Sequence, residues 1–336
     1  MSYSPLFDPA TGAAADLESR SFRLGDRTPH SVYVYDDDPA TGTRGPIRLA
    51  IDASLATGRP ILLSGDPGTG KSSLAAAVAD RLGWRSYRLT VSSRTQAQDF
   101  LWTFDAVRRL GDAQAGEKHL KPAAAYLEPG ILWWAFHPTL AERRGMDEAA
   151  WAANTRLEDR ALAKVPPATD PGLRPHPRAV VLIDEIDKAD PDVPNNLLEP
   201  LGSLQFSLPN GMPVLAQIPP LVFITTNRER ELPQAFLRRC LALELQAPKP
   251  ERLRQIAQAH YPSLDPSLLN LVTQTYQSIR ADHEQQRLPK PGTAEYLDAI
   301  GACLQLRVAT TDPDWDLRWQ EIADLALRKT PSRLAS

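Results

Sequence analysis

Apolar residues along this chain fall into two regimes. From about residue 60 to 245 they come as short continuous runs: PILL at 60–63, AVVLI at 179–183 and LVFI at 221–224, each leading directly into small or polar residues. Runs of this length without alternation are what strands of a parallel sheet buried on both faces require. Before and between them lie stretches with helical spacing, including RGPIRLAIDASLATG at 44–58 and a segment with Leu74, Ala75, Val78 and Leu82 on one side. Beyond APKPER at 247–252 the spacing stays helical to Leu327, which predicts a small α-helical domain after an α/β domain. HSVYVYD at 30–36 alternates like a short strand, and QFSLPNGMPVLA at 205–216 reads as a hairpin with a two-residue turn at Asn210 and Gly211. Residues 1–29 carry no repeating apolar pattern and are read as an arm; the prolines of PPATDPGLRPHP at 166–177 mark a linker.

A chain of 336 residues buries a large core and needs no staples. Its net charge of -3 does not favour nonspecific nucleic-acid binding. Cys240 and Cys303 are too far apart for a zinc spacing and too few for a disulfide framework, which fits a reducing compartment. The first residues show no basic stretch followed by an apolar run, and no segment reaches the ~18 apolar residues that span a bilayer, so the expectation is a cytoplasmic chain with no membrane partner.

The chemistry is concentrated at the ends of the apolar runs. After PILLS comes GDPGTGKS at 65–72, which fits GxxxxGK(S/T) between a strand and a helix. Chance gives such a match in a chain of this length about 1% of the time. In this pattern the glycines let the loop of Gly65, Asp66, Pro67, Gly68, Thr69 and Gly70 and the following helix start close around phosphate oxygens, every residue but proline offering a backbone N–H. Lys71 would hold the β and γ phosphates and Ser72 would ligate Mg²⁺, with Ser73 beside it.

AVVLIDEID at 179–187 delivers two carboxylates at a strand end. Beside a phosphate loop, Asp184 would position hydrated Mg²⁺ and Glu185 would polarise the attacking water as general base. Asp187, Lys188 and Asp190 are read as surface or interface charges. LVFITTN ends in Asn227, which either holds water or phosphate or caps the next turn. In LPQAFLRRCLALEL at 232–245, Arg238 and Arg239 interrupt an apolar stretch, and each either pairs locally or projects to a neighbouring subunit.

Taken in order, GDPGTGKS, VVLIDEIDKA, NNLLEPLGSLQF, PPLVFITTN and ELPQAFLRRC resemble the MoxR branch of the AAA+ ATPases over about residues 30–305. ELPQAFLRRC and YLEPGILWWAF at 126–136 point to this branch in particular. The resemblance implies a P-loop AAA+ core with a parallel sheet flanked by helices at 30–247, an insertion at about 108–178, and an α-helical lid at 248–336. It implies Asn227 as the first sensor, Arg239 ahead of Arg238 as the arginine finger, and Ile47 as an adenine contact. It also implies that Tyr126–Phe136 and the hairpin face a central channel, with core packing the alternative for Trp133 and Trp134 and one of the two expected in the core. The implied activity is ATP hydrolysis by a ring, most simply a hexamer, that remodels or assembles a protein partner, which in relatives often carries a von Willebrand factor A domain. Alternatives are a nucleotide-gated scaffold in a defence or signalling complex, or the motor subunit of a nuclease system. Two departures stand out: KPGTAEYLDAIGAC at 290–303 offers Glu295 where relatives place a second sensor arginine, and 139–178 is a long polar excursion, either a docking surface or a solvated insertion.

Overall fold

A computed structural model describes residues 33–34, 45–114, 123–146, 149, 177–308, 310–311 and 313–328. The expected arm, the linker except Pro177, most of the strand at 30–36 and most of the excursion at 139–178 lie outside the described residues. In chain order the elements begin with α1 (Pro46–Thr57), β1 (Ile61–Ser64), α2 (Lys71–Leu82), β2 (Arg85–Thr90), β3 (Trp102–Phe104) and α3 (Ala106–Gln114). They continue with β4 (Leu127–Pro129), α4 (Ile131–Phe136), α5 (Pro138–Glu142), β5 (Ala179–Asp184), α6 (Asp192–Asn196), α7 (Leu198–Ser203), β6 (Gln205–Ser207) and β7 (Pro213–Leu215). Then come β8 (Leu221–Thr226), α8 (Gln234–Leu237), β9 (Leu241–Glu244), α9 (Pro250–His260), α10 (Pro266–Gln285), α11 (Thr293–Gln305) and α12 (Trp315–Ala323).

The chain divides into two compact units, one formed by Tyr35–Ser64 and Val78–Glu244, the other by Met1–Val34, Gly65–Ala77 and Leu245–Ser336. The first holds a five-stranded sheet in the order β2-β5-β8-β1-β9, parallel throughout. Every residue of β5 and β8 is buried, which is why both read as unbroken apolar runs. Register sets Ile183 opposite Ile224 and Ser64 opposite Thr226, so the polar residues that end β5, β8 and β1 gather at one edge of the sheet. Ligands of parallel α/β sheets bind at that carboxyl edge.

Two expectations are corrected here. All six residues of α4 are buried, both tryptophans included, so this segment is core and does not line a channel. The cause is packing on several sides: α4 contacts β2 and β5 of the sheet and also β7, and Trp133 meets the Phe206 ring edge-on at 6.1 Å. The hairpin of β6 and β7 exists, but its turn is longer than two residues. Gly211 N–H donates to Leu208 O at 2.9 Å, and Leu208 N–H donates to Met212 O at 2.9 Å. Pro209 takes the first central position of that turn and Gly211, at φ 82°, takes the left-handed position that closes a three-residue loop.

In the second unit α9 to α12 pack around Leu253, Leu269, Tyr276, Tyr296, Ile300 and Trp319, and the chain continues through a π turn at Asp324–Arg328. Proline occupies the first turn of α9 and of α10, where its missing N–H costs nothing, and Asp265 caps α10 by accepting from Leu268 N–H at 3.0 Å.

Candidate functional site: a phosphate loop and an acid cluster

The loop that follows β1 contains three glycines at positive φ: Gly65 at 142°, Gly68 at 76° and Gly70 at 85°. Only glycine adopts the first of these readily, and a Cβ there would also lie 2.3 Å from Leu245 O. Thr69 closes the turn on itself, its N–H and Oγ1 both donating to Asp66 O. Leu74 N–H donates to Gly70 O at 3.0 Å as the twelve-residue helix α2 begins, so the loop runs straight into the positive end of the helix. Lys71 is buried and folds back over the loop, its Nζ donating to Gly65 O at 2.8 Å and Asp66 O at 3.0 Å. Ser72 and Ser73 are half-buried on the first turn of α2. A cradle of this kind, with backbone donors and one ammonium, fits a polyphosphate.

The stretch expected to carry a second sensor meets the loop with its backbone. Thr293 N–H donates to Gly68 O at 3.0 Å, and a Cβ on Gly292 would lie 2.7 Å from Pro67 O. Glu295 turns inward to cap its own helix, accepting from Gly292 N–H at 3.0 Å.

At the carboxyl edge of the sheet the acids form a continuous network. Asp184, buried, accepts from Thr225 Oγ1–H through Oδ1 and from Arg88 Nη2 through Oδ2, both at 2.6 Å. The Thr225 Oγ1 in turn accepts from Glu185 N–H at 2.8 Å. Glu185 sits at φ 61°, a left-handed conformation that aims its carboxylate away from the strand. That carboxylate accepts from Lys188 Nζ at 2.8 Å and from Asn227 Nδ2 at 3.4 Å. The salt bridge raises the Lys188 ammonium above its ordinary range. Arg228, also left-handed at φ 62°, donates to Ser64 Oγ at 2.8 Å and Glu244 Oε1 at 2.9 Å, tying the ends of β1 and β9 to the same network.

The structure therefore brings Asp184, Glu185 and Asn227 together. It also shows that the turn after Asn227 is capped by Thr226, whose Oγ1 accepts Arg228 N–H at 2.9 Å, which leaves the Asn227 amide for Glu185. Asp187 is not a surface charge: it is 2% exposed, and its Oδ2 accepts from Asn227 N–H at 3.0 Å and Glu229 N–H at 2.9 Å. Its Oδ1 is buried with no hydrogen-bond partner among the described residues. Asp190 caps the entry to α6, accepting from Asp192 N–H at 3.0 Å. Sequence reasoning missed Arg88, the bond from Thr225 to Asp184 and the burial of Asp187.

Arg238 and Arg239 follow α8, both exposed, and neither makes an ion pair among the described residues. Ile47 is buried in the first turn of α1, at 3% exposure. Among the described residues no cluster of three or more His, Cys, Asp or Glu is placed to hold a metal by itself, and no helix is long and apolar enough to cross a membrane.

A glycine-rich phosphate loop between a parallel strand and a helix, with acids and a polar residue at neighbouring strand ends, defines the class: an α/β P-loop protein with an AAA+ core. Residues 60–240, more than half of the chain, match the family described as AAA domain (dynein-related subfamily), and the chain belongs to that family. It is 32% identical over 130 residues to the aerobic cobaltochelatase subunit CobS of Sinorhizobium sp., 39% of this chain and 35% of that protein. Over 64 residues it is 41% identical to midasin of Giardia intestinalis, 19% of this chain and 1% of that protein. The chain thus spans about a third of one curated relative and a small fraction of the other. Among solved structures it is similar to the Thermotoga maritima RuvB Holliday junction branch migration motor, at 13% identity and a TM-score of 0.43, covering 83% of this chain and 67% of that one.

Proposed function

We propose that this chain binds ATP with Mg²⁺ and hydrolyses it, as an AAA+ ATPase of MoxR type that assembles into a homo-oligomeric ring, most simply a hexamer, to remodel or assemble a protein partner. The observation that carries the reading is the meeting of Asp184, Glu185 and Asn227 at the ends of β5 and β8 in a chain that also bears the glycine loop. In this reading the loop from Gly65 to Ser73 and Lys71 hold the triphosphate, and Ser72 and Asp184 hold Mg²⁺. When bound, that ion neutralises charge on the phosphate oxygens. Glu185 takes the proton of the attacking water, Asn227 orients Glu185 and the water, and Arg239 of a neighbouring copy meets the charge that develops on the transferred phosphoryl group. Residues 30–247 form the nucleotide-binding domain, 248–336 its lid, and the chain works in the cytoplasm. One relative is named as a subunit of a larger enzyme, which supports looking for a partner, including one with a von Willebrand factor A domain.

A second reading, a nucleotide-gated scaffold with slow turnover, draws on the ion pairs of the acid cluster. Arg88 occupies Asp184, and Lys188 occupies Glu185, so both acids must exchange a cationic partner before hydrolysis.

Particle mass and phosphate release, measured for wild type and Glu185→Gln with and without Mg-ATP, test the proposal. Assembly of both proteins on ATP, with phosphate released only by wild type, supports a ring ATPase. Assembly with negligible release from wild type moves the case to the scaffold, and a monomer that neither assembles nor turns over sinks the homo-oligomeric ring.

A further inference from the structure

The turn that presents Arg238 and Arg239 is short, and its own backbone bonds leave its outgoing carbonyls to a distant residue. Helix α8 is four residues long, a single turn closed by Arg238 N–H on Gln234 O, Arg239 N–H on Phe236 O and Cys240 N–H on Leu237 O, and the carbonyls of residues 238–240 beyond it take donors from outside the turn. A residue 180 positions earlier supplies them. The Arg59 guanidinium donates from Nη2 to Arg238 O at 2.5 Å and to Cys240 O at 3.1 Å, and from Nε to Arg239 O at 3.3 Å. One planar fork thus meets three successive carbonyls, and its positive charge lies at the end of a helix where the backbone dipole is negative.

Arg59 is itself held in place. It follows Gly58, the left-handed residue at φ 70° that ends α1, and precedes Pro60, whose carbonyl accepts Leu241 N–H at 2.8 Å. Residues 238–241 are therefore gripped by adjacent groups of one short segment, a side chain and a carbonyl. Next to the grip lies a cavity of about 260 Å³ lined by Arg59, Leu197, Leu201, Phe236 and the two arginines. Arg239 passes along Gly202, where an added Cβ would sit 3.8 Å from its Nε. The side chains of the pair are exposed while the backbone beneath them is fixed.

We propose that Arg59 is a positioning residue for the arginine pair: by clamping the carbonyls of residues 238–240 it presents the Arg239 guanidinium to the phosphate groups of a nucleotide bound by a neighbouring copy. The inference rests on the reading of Arg239 given above. Arg59 touches no reacting atom and acts through the turn. A displacement of about 1 Å in a catalytic group costs about a hundredfold in rate, and that is the loss expected when the clamp is removed.

Turnover, ATP affinity and particle mass are to be measured for Arg59→Ala, Arg59→Lys and Arg239→Ala, each alone, mixed with Glu185→Gln chains, and mixed with one another. Arg59→Ala is expected to bind ATP and assemble as wild type does while turnover falls about a hundredfold. Mixing with Glu185→Gln restores turnover, because each Arg59→Ala chain keeps its own Glu185 and borrows a sound arginine turn from its neighbour. Mixing with Arg239→Ala restores nothing, since both lesions lie on the same face. Full turnover in Arg59→Ala, weakened ATP affinity as its main defect, or equal rescue by both mixtures would overturn the clamp. If Arg59→Ala does not fold, Arg59→Lys carries the same mixing test, since it keeps the charge and loses the fork. Arg239→Ala mixed with Glu185→Gln is the control. If Arg239→Ala alone keeps its turnover, or the control mixture recovers none, the reading of Arg239 falls and takes the clamp with it.

Discussion

Replacing Asp187 by alanine removes a buried carboxylate that accepts two backbone N–H groups from the segment carrying Asn227. Hydrogen bonds to a charged group contribute about 1.5–3 kcal/mol each. Both donors are only part-buried, so water replaces some of the loss and the low end applies, about 3 kcal/mol for the pair. Deleting a buried charge, one of whose oxygens has no hydrogen-bond partner, offsets about 1 kcal/mol, leaving a net destabilisation of about 2 kcal/mol. Because the chain has two compact units, one global unfolding energy is not a safe readout, and hydrogen exchange at the amides of residues 227 and 229 reports the lost bonds directly. Both amides should lose protection in Asp187→Ala, and turnover should fall more than ATP affinity, because Asn227 shifts while the phosphate loop is untouched. Unchanged exchange at these two amides would refute the argument whatever happened to activity.

Arg239→Ala should leave ATP binding intact and lower turnover by about a thousandfold or more if it serves as a finger; the same loss in Arg238→Ala instead would reverse the assignment. Lys188→Ala removes a part-exposed ion pair, so hydrogen exchange at the amides of β5 and β8 should show at most about 1 kcal/mol of lost protection, and a larger loss would mean the pair matters to the fold. Burial pushes the Cys303 thiol up to about 12 and the Cys240 thiol up to about 11, so both stay protonated at pH 8 and should resist alkylation until the chain is unfolded, as read by mass spectrometry. Burial also lowers the pKa of His137, whose Nδ1 accepts Leu140 N–H at the start of α5. The unfolded chain then takes up the proton more readily, so the contribution of His137 is present above about pH 6.5 and is lost as pH falls through the lower folded value. His137→Asn, which keeps a capping acceptor that does not titrate, should flatten that part of a melting-temperature profile, and an unchanged slope would exclude His137 as its source.

What the sequence made legible follows from how local each signal is. The strands β1, β5 and β8 and the loop between β1 and α2 announce themselves within ten or so residues, because burial on both faces and left-handed turns demand particular residue types in unbroken order. Arg88 was not legible, because its meeting with Asp184 depends on the pairing of β2 with β5, which sets Thr90 beside Asp184 and Arg88 two residues back. Asp187 sits in an acidic stretch that resembles a solvated strand end. Only the turn of Ile186–Lys188 swings it inward beneath the next strand's loop. For α4 the pattern was an apolar helix with two adjacent tryptophans, and a rule that neighbours on a helix point apart exposes one of them only when a single face is covered.

The left-handed backbone at Glu185 has a consequence for what kinds of descendant this sequence tolerates. A residue with a Cβ is disfavoured there by about 1 kcal/mol or more, and glycine relieves that cost. A lineage that had given up the carboxylate would lose nothing in backbone strain by a change to glycine, so drift at this position runs toward glycine. In the reading proposed above, the carboxylate is what keeps glutamate at this position. In that reading Glu185→Gly ends turnover, while the relieved backbone offsets the lost bonds to Lys188 and Asn227, so the protein should unfold no more readily than the parent.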